Sequence, residues 1–378
     1  MKTRILFILI ILLSSQILSS APDSTSRKKY SVKARIFRIF YGEKWVERHN
    51  IFGEFNKYIR NQDYQNAIDF LTDELSNLDT LKNDYKMHTA GYTYGLRGAA
   101  KYLLLHYDAA MSDVNRSIVI VPKWSYGYFI RGNIHYQARD LQAAIDDYTK
   151  AIDRKRKRKE YIHYYYVRGD TYWNNGEIEN AMSDFTKCIK LDRKWATPYL
   201  RRGSARRSLD DLKGAKADYE KALALNPHLI GGYQVLSYYY FEQKDYDASI
   251  GVIMDGLHHN PDNPHLYEYA GSFYLEKGEN THAITYYSKC LEVCRDSTDD
   301  LTRLQALIGI SVAYYDEDDK ENSRKYFDQA MHLQPLLNNG KEGLEELMGY
   351  CMGWMDKEKE VLPRMVEEFN LSMPEGDE

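Results

Sequence analysis

Gly98, Gly132, Gly169 and Gly203 fall 34, 37 and 34 residues apart, and each follows an arginine: Arg97, Arg131, Arg168 and Arg202. A fixed period of that size means that the fold is built from stacked copies of one small unit. Each copy buries its apolar face only against its neighbours. Aligning on the glycine brings further columns into line. Four residues earlier stand Tyr94, Tyr128, Tyr165, Tyr199, Tyr233 and Tyr267, where Ser237 and Gly271 continue the glycine column. Twelve residues later come Ala110, Ala144, Ala181, Ala215, Ser249 and Ala283. Sixteen later come Val114, Tyr148, Phe185, Tyr219, Ile253, Tyr287 and, in a last unit built on Ser311, Phe327. Pro122, Pro227, Pro261 and Pro335 lie twenty-four residues after their glycine or serine and close their units.

Each column has a steric reason. A glycine or serine on a first helix lets a second helix approach closely, the alanine column supplies the facing contacts, and the aromatic columns fill the space between units. Proline cannot continue the helix before it and suits the first turn of the next. Stretches such as Gln142–Ile152 place apolar residues at helical, not alternating, spacing. The segments YFIRGNIHYQARDLQAAIDDYTKAI at 128–152 and YLRRGSARRSLDDLKGAKADYEKALALNP at 199–227 resemble the tetratricopeptide repeat family. The resemblance covers 91–337 as seven units, preceded at 51–90 by a degenerate one around Tyr58, Tyr64, Ala67 and Leu71. It implies an all-α, right-handed superhelical solenoid of helix-turn-helix repeats whose concave groove engages peptides or proteins. A stripe of Leu344, Leu347, Met348, Cys351, Trp354 and Met355 marks 338–362 as a C-terminal capping helix, with an acidic tail at 363–378.

The N-terminus has the order of an export signal. Lys2 and Arg4 precede an apolar run from Ile5 to Leu13, and small and polar residues follow through Ser19, Ser20 and Ala21. We therefore expect a signal peptide at 1–20, a basic segment at 21–50 and a periplasmic or extracellular protein. The apolar run is short for a membrane span, so the mature protein is expected to carry no stable span. Arg27, Lys28, Lys29, Lys33, Arg35 and Arg38 argue the other way, since positive charge there resists translocation, and an uncleaved anchor stays open. A formal charge of −4 gives no reason to expect nucleic acid.

Cys188 and Cys290 sit in a small-residue column and read as packing residues, while Cys294 with Cys351 is the one pair that a returning helix could join. No histidine stands at ligand spacing from these thiols, and neither a metal nor a cofactor is expected. Arg154–Lys159 is a run of six basic residues in a stretched junction, read as a solvated loop or as a contact for an anionic surface. Enzyme motifs are absent from the sequence, and its glycines are explained by helix packing.

Residues three before, one after and four after the glycine share one face of the first helix. That face supplies the candidate groove: Phe129, Asn133 and Tyr136; Tyr166, Asp170 and Trp173; Arg207; Tyr238 and Phe241. Large aromatic anchors alternate there with hydrogen-bonding groups, the mixture a binding surface needs. Packing against the adjacent unit is the competing role for each of these side chains. Members of the family it resembles that grip a C-terminal carboxylate use Lys, Asn and Arg on successive first helices; this face offers Asn133 but has Phe129 and Tyr166 where a basic residue would be wanted, so a clamp of that kind is not expected. The reading is a non-enzymatic exported scaffold that holds a peptide or protein partner. The alternative is a glycan-associated accessory protein of the cell envelope, its aromatic rings stacked on sugars.

Overall fold

A computed structural model describes residues 51–79, 84–154, 161–295, 300–334 and 356–371. The expected signal peptide, the basic segment, the run at 155–159, the stripe up to Met355 and Cys351 lie outside these residues. All secondary structure among the described residues is helical, and consecutive helices pack as antiparallel pairs of an all-α solenoid. The chain divides into two compact units, one ending at Arg193 and the other beginning at Lys194.

The first unit holds four pairs: α1 (Ile51–Arg60) with α2 (Tyr64–Asp79), α3 (Asp84–Leu103) with α4 (Tyr107–Ile120), α5 (Ser125–Gln137) with α6 (Leu141–Asp153), and α7 (Ile162–Asn174) with α8 (Ile178–Leu191). The second holds α9 (Ala196–Ser208) with α10 (Leu212–Leu225), α11 (Ile230–Glu242) with α12 (Tyr246–His259), α13 (Pro264–Lys277) with α14 (Asn280–Val293), and α15 (Asp300–Asp316) with α16 (Lys320–Leu333). A last helix, α17 (Asp356–Leu371), follows them. It carries Pro363 in its interior and runs to Leu371, into the segment 363–378 expected to be an acidic tail. Its buried Val361, Leu362, Met365, Val366 and Phe369 explain why: the helix has an apolar face with something to cover.

The glycine column works by contact. A Cβ built on Gly132 would lie 2.7 Å from the Tyr148 ring, one on Gly203 2.5 Å from Tyr219, and one on Gly169 2.9 Å from Phe185. The aromatic column therefore lies directly on bare helix backbone. The turn between the helices of each pair also has a fixed geometry: Gln62, Leu105, Arg139, Gly176, Asp210, Lys244, Gly278 and Asp318 are all left-handed. Two glycines in eight positions were too few to betray this column in the sequence. One residue further on, Asp140, Asp211, Asp245 and Asp319 cap the second helices by accepting backbone N–H bonds.

The arginine before each glycine has a partner sixteen residues away. Arg97 meets Asp113, Arg131 meets Asp147, Arg168 meets Asp184 and Arg202 meets Asp218, each through two N–H···O bonds of 2.7–2.8 Å. The carboxylates are buried. In the first unit the remaining guanidinium nitrogen reaches back to the preceding pair, donating to Thr72, Asn115 and Thr149 from Arg97, Arg131 and Arg168. One side chain thus ties both helices of its own pair to the pair before it. Later in the second unit the same two columns turn apolar, as Leu236 with Val252, Ala270 with Tyr286 and Ile310 with Tyr326, and these join hydrophobic clusters instead.

Candidate functional site

In the first unit the expected groove residues separate into two sets. Phe129 is buried and stacked on Tyr164 of the next pair, with ring centroids 4.5 Å apart. Tyr166 is buried against Phe185, and Asn133 accepts a 2.8 Å hydrogen bond from the buried Tyr148 hydroxyl. These three side chains fill the seam between helices. The physical reason is that a second helix lying on the glycine brings the aromatic column up beside positions −3 and +1 of the first helix. The aromatic hydroxyl then needs a polar partner, and Asn133 is it.

Tyr136, Asp170 and Trp173 stay half-exposed. Tyr136 and Trp173 hold the same position, four after the glycine, on the successive first helices α5 and α7. Burial pushes the Tyr148 hydroxyl well above its ordinary range, and Tyr102, Tyr136 and Asp170, the last one turn before Trp173, add to the effect. Two further residues belong here. Gln137 and Asn174, each directly after a column aromatic, are exposed amides. Asn174 Nδ2 donates to the Tyr136 hydroxyl at 2.8 Å, and Gln137 Nε2 approaches that of Tyr102 at 3.4 Å. Each amide thus ties the aromatic of one pair to the next pair. The signal was present in the sequence as the residue five after the glycine, but that column changes character along the chain, from Gln137 and Asn174 to Glu242, Glu276 and Asp316.

In the second unit the same two columns supply Arg207 and Glu242, whose charged ends are 3.7 Å apart. The Arg207 guanidinium lies 5.2 Å over the Tyr238 ring, which in turn packs on Phe241 at 5.6 Å. Phe241 is buried against Phe273 and Tyr246. Arg207 and Tyr238 therefore offer surface, and Phe241 offers none.

Cys188 donates its thiol to the Ile162 carbonyl at 3.3 Å and is buried, as are Cys290 and Cys294. Among the described residues no group of three or more His, Cys, Asp or Glu side chains is arranged to hold a metal ion. No described helix is long and apolar enough to cross a membrane.

A tetratricopeptide repeat model matches residues 126–158, 162–194, 196–229 and 265–297. None of the curated proteins matches the chain. Among solved structures, a tetratricopeptide repeat protein from Parabacteroides merdae is 17% identical and covers 74% of this chain and 99% of its own, with a TM-score of 0.51. The C-terminal part of a repeat-containing protein from Cytophaga hutchinsonii is also 17% identical, covering 66% and 97%, with a TM-score of 0.51. At that identity the likeness speaks for the fold alone. Four matched repeats, the helix pairs and the glycine contacts agree: this chain carries tetratricopeptide repeats and folds as an all-α solenoid of them.

Proposed function

We propose that this protein is a non-catalytic interaction scaffold that holds an extended peptide segment of a partner across the first-helix face of α5 and α7. One observation carries the reading. Tyr136 and Trp173 repeat at one-pair spacing, and each is followed by an exposed amide, Gln137 and Asn174. Two large rigid rings supply contact area, and amides at the same spacing can meet main-chain N–H and C=O groups of an extended chain. Asp170 adds a negative charge beside them and favours a segment with a basic or hydroxyl side chain.

Arrays of peptides and of glycans, probed with the full-length protein, test this. Peptide binding is expected, and Trp173→Ala should weaken it about thirtyfold, the equivalent of about 2 kcal/mol for a buried aromatic anchor. The melting curve of the variant is the control, because a half-buried tryptophan also contributes to packing. A variant that melts earlier yet binds normally would make Trp173 a packing residue and remove the anchor. Binding confined to the glycan array would transfer the site to sugars.

The short basic, apolar and small-residue order of the N-terminus supports export as part of the same proposal. The mature protein is expected to begin near Ala21. N-terminal sequencing after cell fractionation checks this, and an intact Met1 in the cytosolic fraction would refute it.

A further inference from the structure

Ser117 is a polar side chain that the packing of the repeat does not ask for. It stands nineteen residues after Gly98, in the column that later holds Ala151, Cys188, Ala222, Gly256, Cys290 and Ala330. The residue is fully buried where α4 packs on α3, and a Cβ built on Gly95 would lie 2.7 Å from its Oγ. That hydroxyl meets no hydrogen-bonding group among the described residues. A buried hydroxyl so placed costs stability, and the alanine used by other units would not.

Asn115, two residues earlier on α4, is exposed. Its Oδ1 accepts a 2.9 Å bond from the Arg131 guanidinium, and its Nδ2 makes no hydrogen bond among the described residues. Val119 lies one turn beyond Asn115 on the same face. It is 81% exposed, more than any other large apolar side chain among the described residues. Asn115-Arg116-Ser117 has the order that N-linked glycosylation reads: asparagine, any residue but proline, then serine or threonine.

We infer that Asn115 is the acceptor of an N-linked oligosaccharide, attached while the chain is still unfolded during export. The inference rests on the export proposed above. It gives three unexplained features one cause: the serine is there to be read, the amide nitrogen takes the sugar, and the sugar's apolar face covers Val119. In the transfer, Nδ2 loses a proton and bonds to the anomeric carbon of the sugar. The bond from that carbon to the oxygen of a lipid-linked pyrophosphate donor breaks, and the lipid pyrophosphate leaves with the electron pair. The amide keeps its carbonyl oxygen, so Arg131 keeps its acceptor. Timing follows from burial. Once α4 lies on α3 the serine is out of reach, so the folded protein is no substrate. The sugar stands on a second helix, whereas Tyr136 and Trp173 stand on first helices, so the two sites do not compete.

The test is translation of the full chain in the presence of microsomal membranes from a secretory cell. The one other triplet of this order, Asn370-Leu371-Ser372, is removed by Ser372→Ala. One arm keeps the native N-terminus, and a second replaces residues 1–20 with a leader of known function. Translocated chains should run with reduced mobility, restored by peptide N-glycosidase, and the shift should vanish with Asn115→Gln. Ser117→Ala should abolish it too, without lowering the urea midpoint of the sugar-free protein. A shift in the second arm alone would support the acceptor site and refute export by the native N-terminus. Translocated chains without a shift in the second arm, or a shift that survives Ser117→Ala, would overturn the inference. Exported protein isolated from the cells that make it should carry sugar on the peptide spanning Asn115, and a bare asparagine throughout would likewise overturn it.

Discussion

Arg168→Ala is expected to lower the unfolding free energy by about 3–4 kcal/mol at neutral pH, read from the urea midpoint at constant slope. Asp184 is buried, its carboxylate meets Arg168 through two bonds of 2.8 Å, and its carboxyl is already pushed above the ordinary range by burial. Removing the arginine leaves that charge buried without its partner. The other pairs are better insured. Lys101 lies 2.8 Å from Asp113, Lys150 lies 3.6 Å from Asp147, and Arg206 lies 3.0 Å from Asp218. The loss should therefore be largest at Arg168 and smaller at Arg97, Arg131 and Arg202. The pH dependence has a definite sign. In the variant the folded carboxyl titrates above its unfolded value, so the penalty grows as pH rises through that window. It fades as pH falls and Asp184 takes up a proton. The protein also contains the remedy, in Leu236 with Val252. Arg168→Leu combined with Asp184→Val should recover most of the loss, because a buried ion pair exchanged for packed apolar groups is often neutral. A single Arg168→Ala variant within 1 kcal/mol of the parent protein would refute the account.

How much of this could be read from the sequence depended on whether a column repeats a residue type. The glycine column repeats because a Cβ at Gly132 or Gly203 has no room beneath a tyrosine ring, so it was visible at once. Asp113, Asp147, Asp184 and Asp218 form an equally regular column, but their meaning needed the geometry of the two helices. The left-handed turn column was hidden because six of its eight members are not glycine. For the site, helical spacing defined a face and overestimated its open width. Phe129, Asn133 and Tyr166 share that face, yet the neighbouring helices close over them, whereas Tyr136 and Trp173 lie one turn further on and stay half-exposed. The last helix was the hardest to foresee. It has no period to obey, and its Pro363 reads as a terminator unless something outside the helix holds it together.

Gly309→Val is expected to cost about 3 kcal/mol, and the reason lies in a ring with nowhere to go. Tyr287 is fully buried between two helices, with Gly271 of α13 on one side and Gly309 of α15 on the other. A Cβ at Gly271 would lie 2.7 Å from the ring, and one at Gly309 would lie 2.2 Å from its Cζ and 2.6 Å from its hydroxyl oxygen. That oxygen is also held by Ser272 Oγ at 2.9 Å, so rotating the ring away breaks a buried hydrogen bond. Overpacking costs about 1–3 kcal/mol, and a lost hydrogen bond about 1 kcal/mol more. Replacing a mid-helix glycine returns about 0.5–1 kcal/mol, which leaves the balance clearly unfavourable. Because Ile308 and Val312 on the same helix seat α17, a displaced α15 should also loosen it, seen as faster amide exchange at 361–369. Tyr287→Leu clears the ring and should cost stability alone. Combined with Gly309→Val it should cost less than the sum of the two, the mark of two groups competing for one space. Additive losses would mean that the valine is accommodated elsewhere, and that Gly309 is not what allows α15 to approach the tyrosine.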